Sequence, residues 1–178
     1  MMLTTTRVAM RALACLATLI LATGCGLVDN QRPASQEETQ MPNGIQTDVD
    51  GLRKWMALPG APTSVQWQVR EKGVRTAGIG PTDFELIAVL EYNATDMEQL
   101  QSQMVRQTSP ADLYVANDFI QPWVPAEIES AFTTDSLYPD LLKLATARYE
   151  PDVFTSGSLQ NGYAVVVGSY VLVYLHTM

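Results

Sequence analysis

Nucleophilic, redox or metal chemistry in this 178-residue chain would have to draw on two cysteines, one histidine and nineteen carboxylates. The histidine, His176, stands third from the end, at the close of a segment rich in Val, Tyr and Leu. A Ser-His-Asp or Cys-His relay would have to use it, because such relays need a base that titrates near neutrality. No G-x-S-x-G elbow accompanies it, so His176 reads as a structural or surface residue. Metal ligation finds no support either, since there is no HExxH, no EF-hand loop and no CxxC. Asp112 and Asp118 flank Leu113 to Asn117 without a further ligand at useful spacing. A carboxylate pair for sugar hydrolysis would come together only in the fold, and nothing marks such a pair among so many acids. They read as a solvated acidic face. Gly78-Ile79-Gly80 leads into Pro81 and Thr82 rather than into a helix, so it reads as a turn, not a phosphate loop. The sequence predicts no catalytic residue, no metal and no cofactor.

Recognition is better represented. Phe119-Ile120-Gln121-Pro122-Trp123-Val124-Pro125 places large apolar side chains in a proline-bounded stretch. On an exposed loop, Phe119 and Trp123 would anchor a partner, and Asp118 just upstream would add polar specificity. The competing expectation, and the one favoured, is that Trp123 or Val124 staples the next helix to the core.

The first cysteine lies in the apolar run and the second ends it. Arg7 and Arg11 precede Ala12 to Leu21, which is almost unbroken apolar sequence, and small residues then lead to Cys25. This tripartite layout is that of a secretory signal peptide. The apolar stretch is well short of the roughly 20 residues that a spanning helix needs. Leu21-Ala22-Thr23-Gly24-Cys25 resembles a bacterial lipobox, with Ala22 where Leu is usual. The resemblance covers the first 25 residues. It implies that Cys25 is acylated, that the chain is cut before it, and that the protein is held on the bilayer by its acyl chains. By resemblance to enterobacterial lipoprotein sorting, Gly26 rather than Asp after the cysteine implies outer-membrane placement, with the domain facing the periplasm.

Loss of the first 24 residues would remove Cys15 and leave no cysteine free for a disulfide, so stability must come from apolar packing. It would also remove Arg7 and Arg11, leaving nine basic against nineteen acidic side chains, a net charge of −10. Such a domain is repelled by nucleic acid and by anionic membrane surface. A basic partner is the kind its charge favours.

The elements that must position these residues follow from periodicity. Residues 1–24 read as the signal, 25–47 as a flexible polar tether, and 48–178 as one globular domain. Asp48 is placed to cap a short helix over 48–57. Val65, Trp67 and Val69 alternate with Gln66, Gln68 and Arg70, predicting a half-buried strand. FELIAVLEY, residues 84–92, is apolar on both faces and predicts a central strand covered on both sides. Gly73 to Asp83 predicts a loop or wide hairpin. Thr95-Asp96-Met97-Glu98 reads as a capping box opening a helix to about Arg106. Leu113 to Phe119 fits a short strand. Pro125 fits the first turn of a helix with Ile128, Ala131 and Phe132 inward. A further helix is expected after Pro139, with Leu141, Leu142, Leu144, Ala145 and Tyr149 apolar. Tyr163–Val167 and Tyr170–His176 predict a hairpin through Gly168-Ser169, with Asn161-Gly162 as a competing turn. The sum is an α+β fold, a small antiparallel sheet with about three helices packed on one face.

The expected role is that of a lipid-anchored envelope protein whose periplasmic domain binds a protein or another envelope component without catalysis. Within that role, an immunity protein against a secreted toxin or an assembly lipoprotein would fit. A carboxylate-based envelope hydrolase is the alternative of a different class.

Overall fold

The computed structural model describes residues 44–72, 83–108 and 112–177, all within one compact unit, Thr39–Met178. Cys25, the expected signal segment, most of the expected tether and the turn expected at Gly78-Ile79-Gly80 lie outside the described residues. The strands are β1 (Ser64–Lys72), β2 (Asp83–Glu91), β3 (Tyr114–Ala116), β4 (Phe132–Thr134), β5 (Leu141–Leu144), β6 (Arg148–Tyr149), β7 (Asn161–Val167) and β8 (Tyr170–His176). The helices are α1 (Val49–Leu52), α2 (Ala94–Gln103) and α3 (Ala126–Glu129), with a 3₁₀ turn over Asn117–Phe119. The fold is α+β and its sheets are antiparallel.

Five strands form the main sheet in the order β1-β2-β8-β7-β6. In β2, Leu86 to Leu90 are all buried, and Val171 to Val173 are buried in β8. A run of consecutive apolar residues puts apolar side chains on both faces, because side chains alternate along a strand. One face carries Val65, Trp67, Val69, Leu86, Ala88, Leu90, Val173 and Leu175. Leu52 and Met56 cover it from α1 and the turn after it, Met97 and Leu100 from α2, and Phe154 and Leu159 from the chain before β7. The opposite face carries Ile87, Val89, Tyr163, Val165 and Leu172. Left in water, those five would forfeit on the order of 10 kcal/mol, as much as the whole stability of a domain. The segment between α2 and β6 therefore folds over them. It brings Ile128 of α3, Phe132 of β4 and Leu144 of β5 down onto the sheet. Its own strands form a second sheet in the order β3-β5-β4.

The antiparallel sheet with about three helices is as the sequence led one to expect, but the helices do not share one face: α1 and α2 serve the first and α3 the second, because both faces of the sheet are apolar. Other details differ. The helix expected after Pro139 is strand β5 followed by β6. Leu141, Leu142 and Leu144 suit either period in so short a run, and pairing with β3 and β4 on both sides decides for strand. The cap of α2 is Asn93, not Thr95. Asn93 Oδ1 accepts from the Asp96 amide at 2.9 Å, and Asn93 Nδ2 donates to Asp96 Oδ2 at 2.7 Å, so the reciprocal box sits two residues upstream. That helix ends at Gln103 rather than near Arg106. Asp48 does cap α1, accepting from Gly51 N at 2.7 Å, but the α-helical turn stops at Leu52. At the top of the expected tether, Gln46 exchanges two backbone bonds with Trp67, at 2.8 and 2.9 Å.

Two glycines mark the C-terminal hairpin. Gly168 turns it with φ 59°, the left-handed value such a turn requires, and nothing lies within 4 Å of where its Cβ would be. The competing Asn161-Gly162 pair instead lies inside β7, opposite His176 and Leu175. There Gly162 adopts φ 143°, and a Cβ would sit 1.9 Å from the Tyr174 carbonyl oxygen. Gly162→Ala is therefore expected to lower the stability by about 2 kcal/mol through overpacking against backbone. Gly168→Ala should lose only about 1 kcal/mol, the cost of a left-handed turn residue. Urea unfolding of both variants measures the order, and an equal or negligible loss at Gly162 would contradict the β7–β8 register.

Candidate binding surface

The chain between β4 and β5 reads Asp135-Ser136-Leu137-Tyr138-Pro139-Asp140. Turn-forming residues bracket a leucine and a tyrosine. Asp135 organises the turn, as Asp does when its side chain reaches backbone two residues on. Its Oδ1 accepts from the Leu137 amide at 2.8 Å, and its Oδ2 accepts from the Tyr114 hydroxyl at 2.8 Å. Its carbonyl accepts from Tyr138 N at 3.3 Å, and the Tyr138 carbonyl accepts from Leu141 N at 3.0 Å. Asn117 Nδ2 donates to the Pro139 carbonyl at 3.4 Å and ties the 3₁₀ turn to the same loop. The Tyr114 and Tyr138 rings meet edge to face at 5.4 Å, a favourable aromatic geometry.

The hydrogen bonds from the Leu137 amide and Tyr114 hydroxyl hold the Asp135 carboxyl below its ordinary value of 3.8. The same bond to Asp135 raises the Tyr114 phenol. Lys143 sits 6.0 Å over the Tyr114 ring and is itself held by Asp112 Oδ2 at 2.6 Å.

This bracing holds apolar surface outward. Leu137 is 79% exposed and Tyr138 52% exposed. Ile45 and Val105 are the other exposed large apolar side chains among the described residues, and only Leu137 and Tyr138 are adjacent in the chain. Asp118 and Asp140 are also exposed.

The residues singled out from the sequence lie in separate settings. Phe119 is turned inward, its ring 6.0 Å from Phe132, 6.5 Å from Tyr163 and 5.4 Å from Tyr174. It joins the small sheet to the second face of the large one. Asp118 is exposed, and its backbone carbonyl accepts from the Gln121 side chain. Trp123 is half-buried beside a hollow of about 410 Å³ lined by Ile45, Gln68, Gln121 and Pro122, and its Nε1 is buried without a hydrogen-bond partner.

His176 closes β8 opposite Glu85 and Asn161. Its ring is 5.5 Å from that of Tyr174, and its Nδ1 is buried without a hydrogen-bond partner. Tyr174 donates to Glu85 Oε2 at 3.1 Å, and Arg70 reaches Glu85 at 3.8 Å. Burial, with the Glu85 carboxylate, pushes the Tyr174 phenol up to about 12. At neutral pH this phenol is a protonated hydrogen-bond donor. Among the described residues no group of three or more His, Cys, Asp or Glu could hold a metal ion.

Sequence reasoning missed Leu137 and Tyr138. Their signal was an apolar pair between turn formers, just before a segment that the apolar count assigned to helix.

No protein-family model matches the chain, and no curated protein or solved structure shows significant similarity to it.

Because Asp135 is more acidic folded than unfolded, the bracing it provides is present above pH 3.8 and is lost as pH falls through the depressed folded value. The NMR shift of the Leu137 amide should titrate with a midpoint below 3.8. In Asp135→Asn this titration should vanish. A midpoint at or above the ordinary aspartate value would show that the carboxylate does not hold the tip.

Proposed function

We propose that this chain is a lipid-anchored protein of the cell envelope whose domain binds a partner protein and carries out no catalysis. Cys25 supplies the anchor through its acyl chains, and the domain faces the periplasm from the outer membrane. The Leu21–Cys25 segment supports the anchor by its resemblance to a lipobox. The observation that carries the binding reading is the Leu137–Tyr138 tip, exposed yet held by Asp135, Tyr114 and Asn117. A contact surface fixed before binding loses little ordering entropy when it docks. Anchors of this kind contribute most when a partner pocket closes over them.

Exposed Asp118 and Asp140, with a predicted mature charge of −10, favour a basic partner and faster encounter with it. An immunity protein against a basic toxin is the second reading, favoured by the same carboxylates. Tethering would hold such an inhibitor at high local concentration where the toxin arrives.

The proposal is tested in cells by fractionation and by crosslinking of the full chain. The wild-type protein should fractionate with membranes at the mass of the acylated form. One stoichiometric protein should be recovered with it after crosslinking. Cys25→Ser should leave an uncleaved or soluble product. Membrane fractionation of Cys25→Ser at the mature mass would refute the anchor, and recovery of abundant envelope proteins alone would refute the partner.

A further inference from the structure

Basic residues are scarce in this chain, with eleven against nineteen acids. Seven lie among the described residues: Arg53, Lys54, Arg70, Lys72, Arg106, Lys143 and Arg148. Three of the seven line one cleft, about 610 Å³ in volume, away from the Leu137–Tyr138 pair. Arg106 and Arg148 come from the chain after α2 and from β6, and Lys143 comes from β5. Gln107 adds an amide, and Asp112 is the one carboxylate among the described lining residues. With the Glu150 carboxylate that Gln107 reaches, the local balance among the described residues is one positive charge, in a chain whose net charge is −8.

The walls of this cleft are hydrogen-bonded backbone. Arg106 bridges to Tyr149, Gln107 N donates to the Arg148 carbonyl at 2.9 Å, and Glu150 N donates to the Val105 carbonyl at 2.8 Å. On the other side, Leu144 N donates to the Leu113 carbonyl at 3.0 Å, and Asp112 holds the Lys143 ammonium at 2.6 Å. The cations are thus presented from fixed elements rather than from free loops. Three cations against two carboxylates leave this concavity positive in an acidic chain, which favours the entry of an anion.

We propose that this cleft is a binding site for a phosphate-bearing anion. Two guanidinium groups match phosphate oxygens in a fork, and an ammonium adds a point charge. The volume is in the range of small-molecule sites and exceeds what one inorganic ion would fill. Gln107 Nε2 already donates to Glu150 Oε2 at 3.2 Å, and its second amide proton is left for a hydroxyl or an ester oxygen of the remainder of the ligand. The phosphate can belong to a soluble metabolite or to a lipid headgroup, and the same cations would read either.

The test uses the acylated mature chain in non-ionic detergent, titrated by calorimetry with inorganic pyrophosphate and, separately, with mixed micelles containing phosphatidylglycerol. Arg106 is exposed, so Arg106→Gln and Arg106→Glu should keep the thermal midpoint of the parent. Saturable binding of pyrophosphate that weakens with salt, and by about tenfold or more in Arg106→Gln, is the expected result and assigns a soluble ligand. The same losses seen only with phosphatidylglycerol micelles assign a headgroup. Binding of neither probe, or binding unchanged in both Arg106 variants, overturns the site. Neither result bears on the tip, because Leu137 and Tyr138 do not line this cleft.

Discussion

The structure depends on one constraint, that β2 and β8 are apolar on both faces. Five consecutive residues of β2, Leu86 to Leu90, are buried, and three of β8, Val171 to Val173. A sheet of that kind cannot leave one side in water. The first side is closed by α1, α2 and the chain around Phe154. The second needs a separate cover, which the residues from Leu113 to Leu144 provide. Phe119 is central to that cover, because its ring touches Phe132 of the small sheet as well as Tyr163 and Tyr174 of the large one.

The cover has an outer side of its own. Strands β4 and β5 pair antiparallel across a short connection, residues 135–140, so the chain must turn there, and that turn is the tip. Its polar groups are satisfied from within: Asp135 takes the Leu137 amide and the Tyr114 hydroxyl, and Asn117 takes the Pro139 carbonyl. With those backbone groups paired, no further rearrangement is needed to present the two apolar side chains. The same cover supplies Lys143 to the cationic cleft, so the layer that completes the core also carries both candidate recognition surfaces. Function and packing are linked here through β5, whose Leu144 is buried while Lys143 is held by Asp112.

Much of the main sheet was legible in sequence. The alternation of Val65, Trp67 and Val69 gave β1, the unbroken apolar run gave β2 its central place, and Gly168-Ser169 gave the last hairpin. The cover was not legible to the same degree. Leu141, Leu142 and Leu144 are compatible with helix and strand alike, and the pairing that decides between them comes from Tyr114–Ala116 and Phe132–Thr134. Local pattern carries no trace of such partners. The tip was missed for a related reason. Leu and Tyr ordinarily signal burial, and their exposure here follows from a bond between residues 21 apart, Tyr114 and Asp135. Phe119 and Trp123 raised the converse difficulty, since an aromatic residue in a proline-bounded stretch serves a core and an interface equally well. The structure places Phe119 in the core between the layers.

The central claim is that the outward-held Leu137–Tyr138 tip is where a partner docks. The most direct measurement replaces Leu137 by a photo-crosslinking amino acid in the full-length chain and irradiates living cells. A matched chain carries the same group at Gln99, an exposed position on α2 at the first face of the sheet. The account predicts one discrete protein adduct from position 137 and none from position 99. No adduct at 137, or the same adducts from both positions, would contradict it.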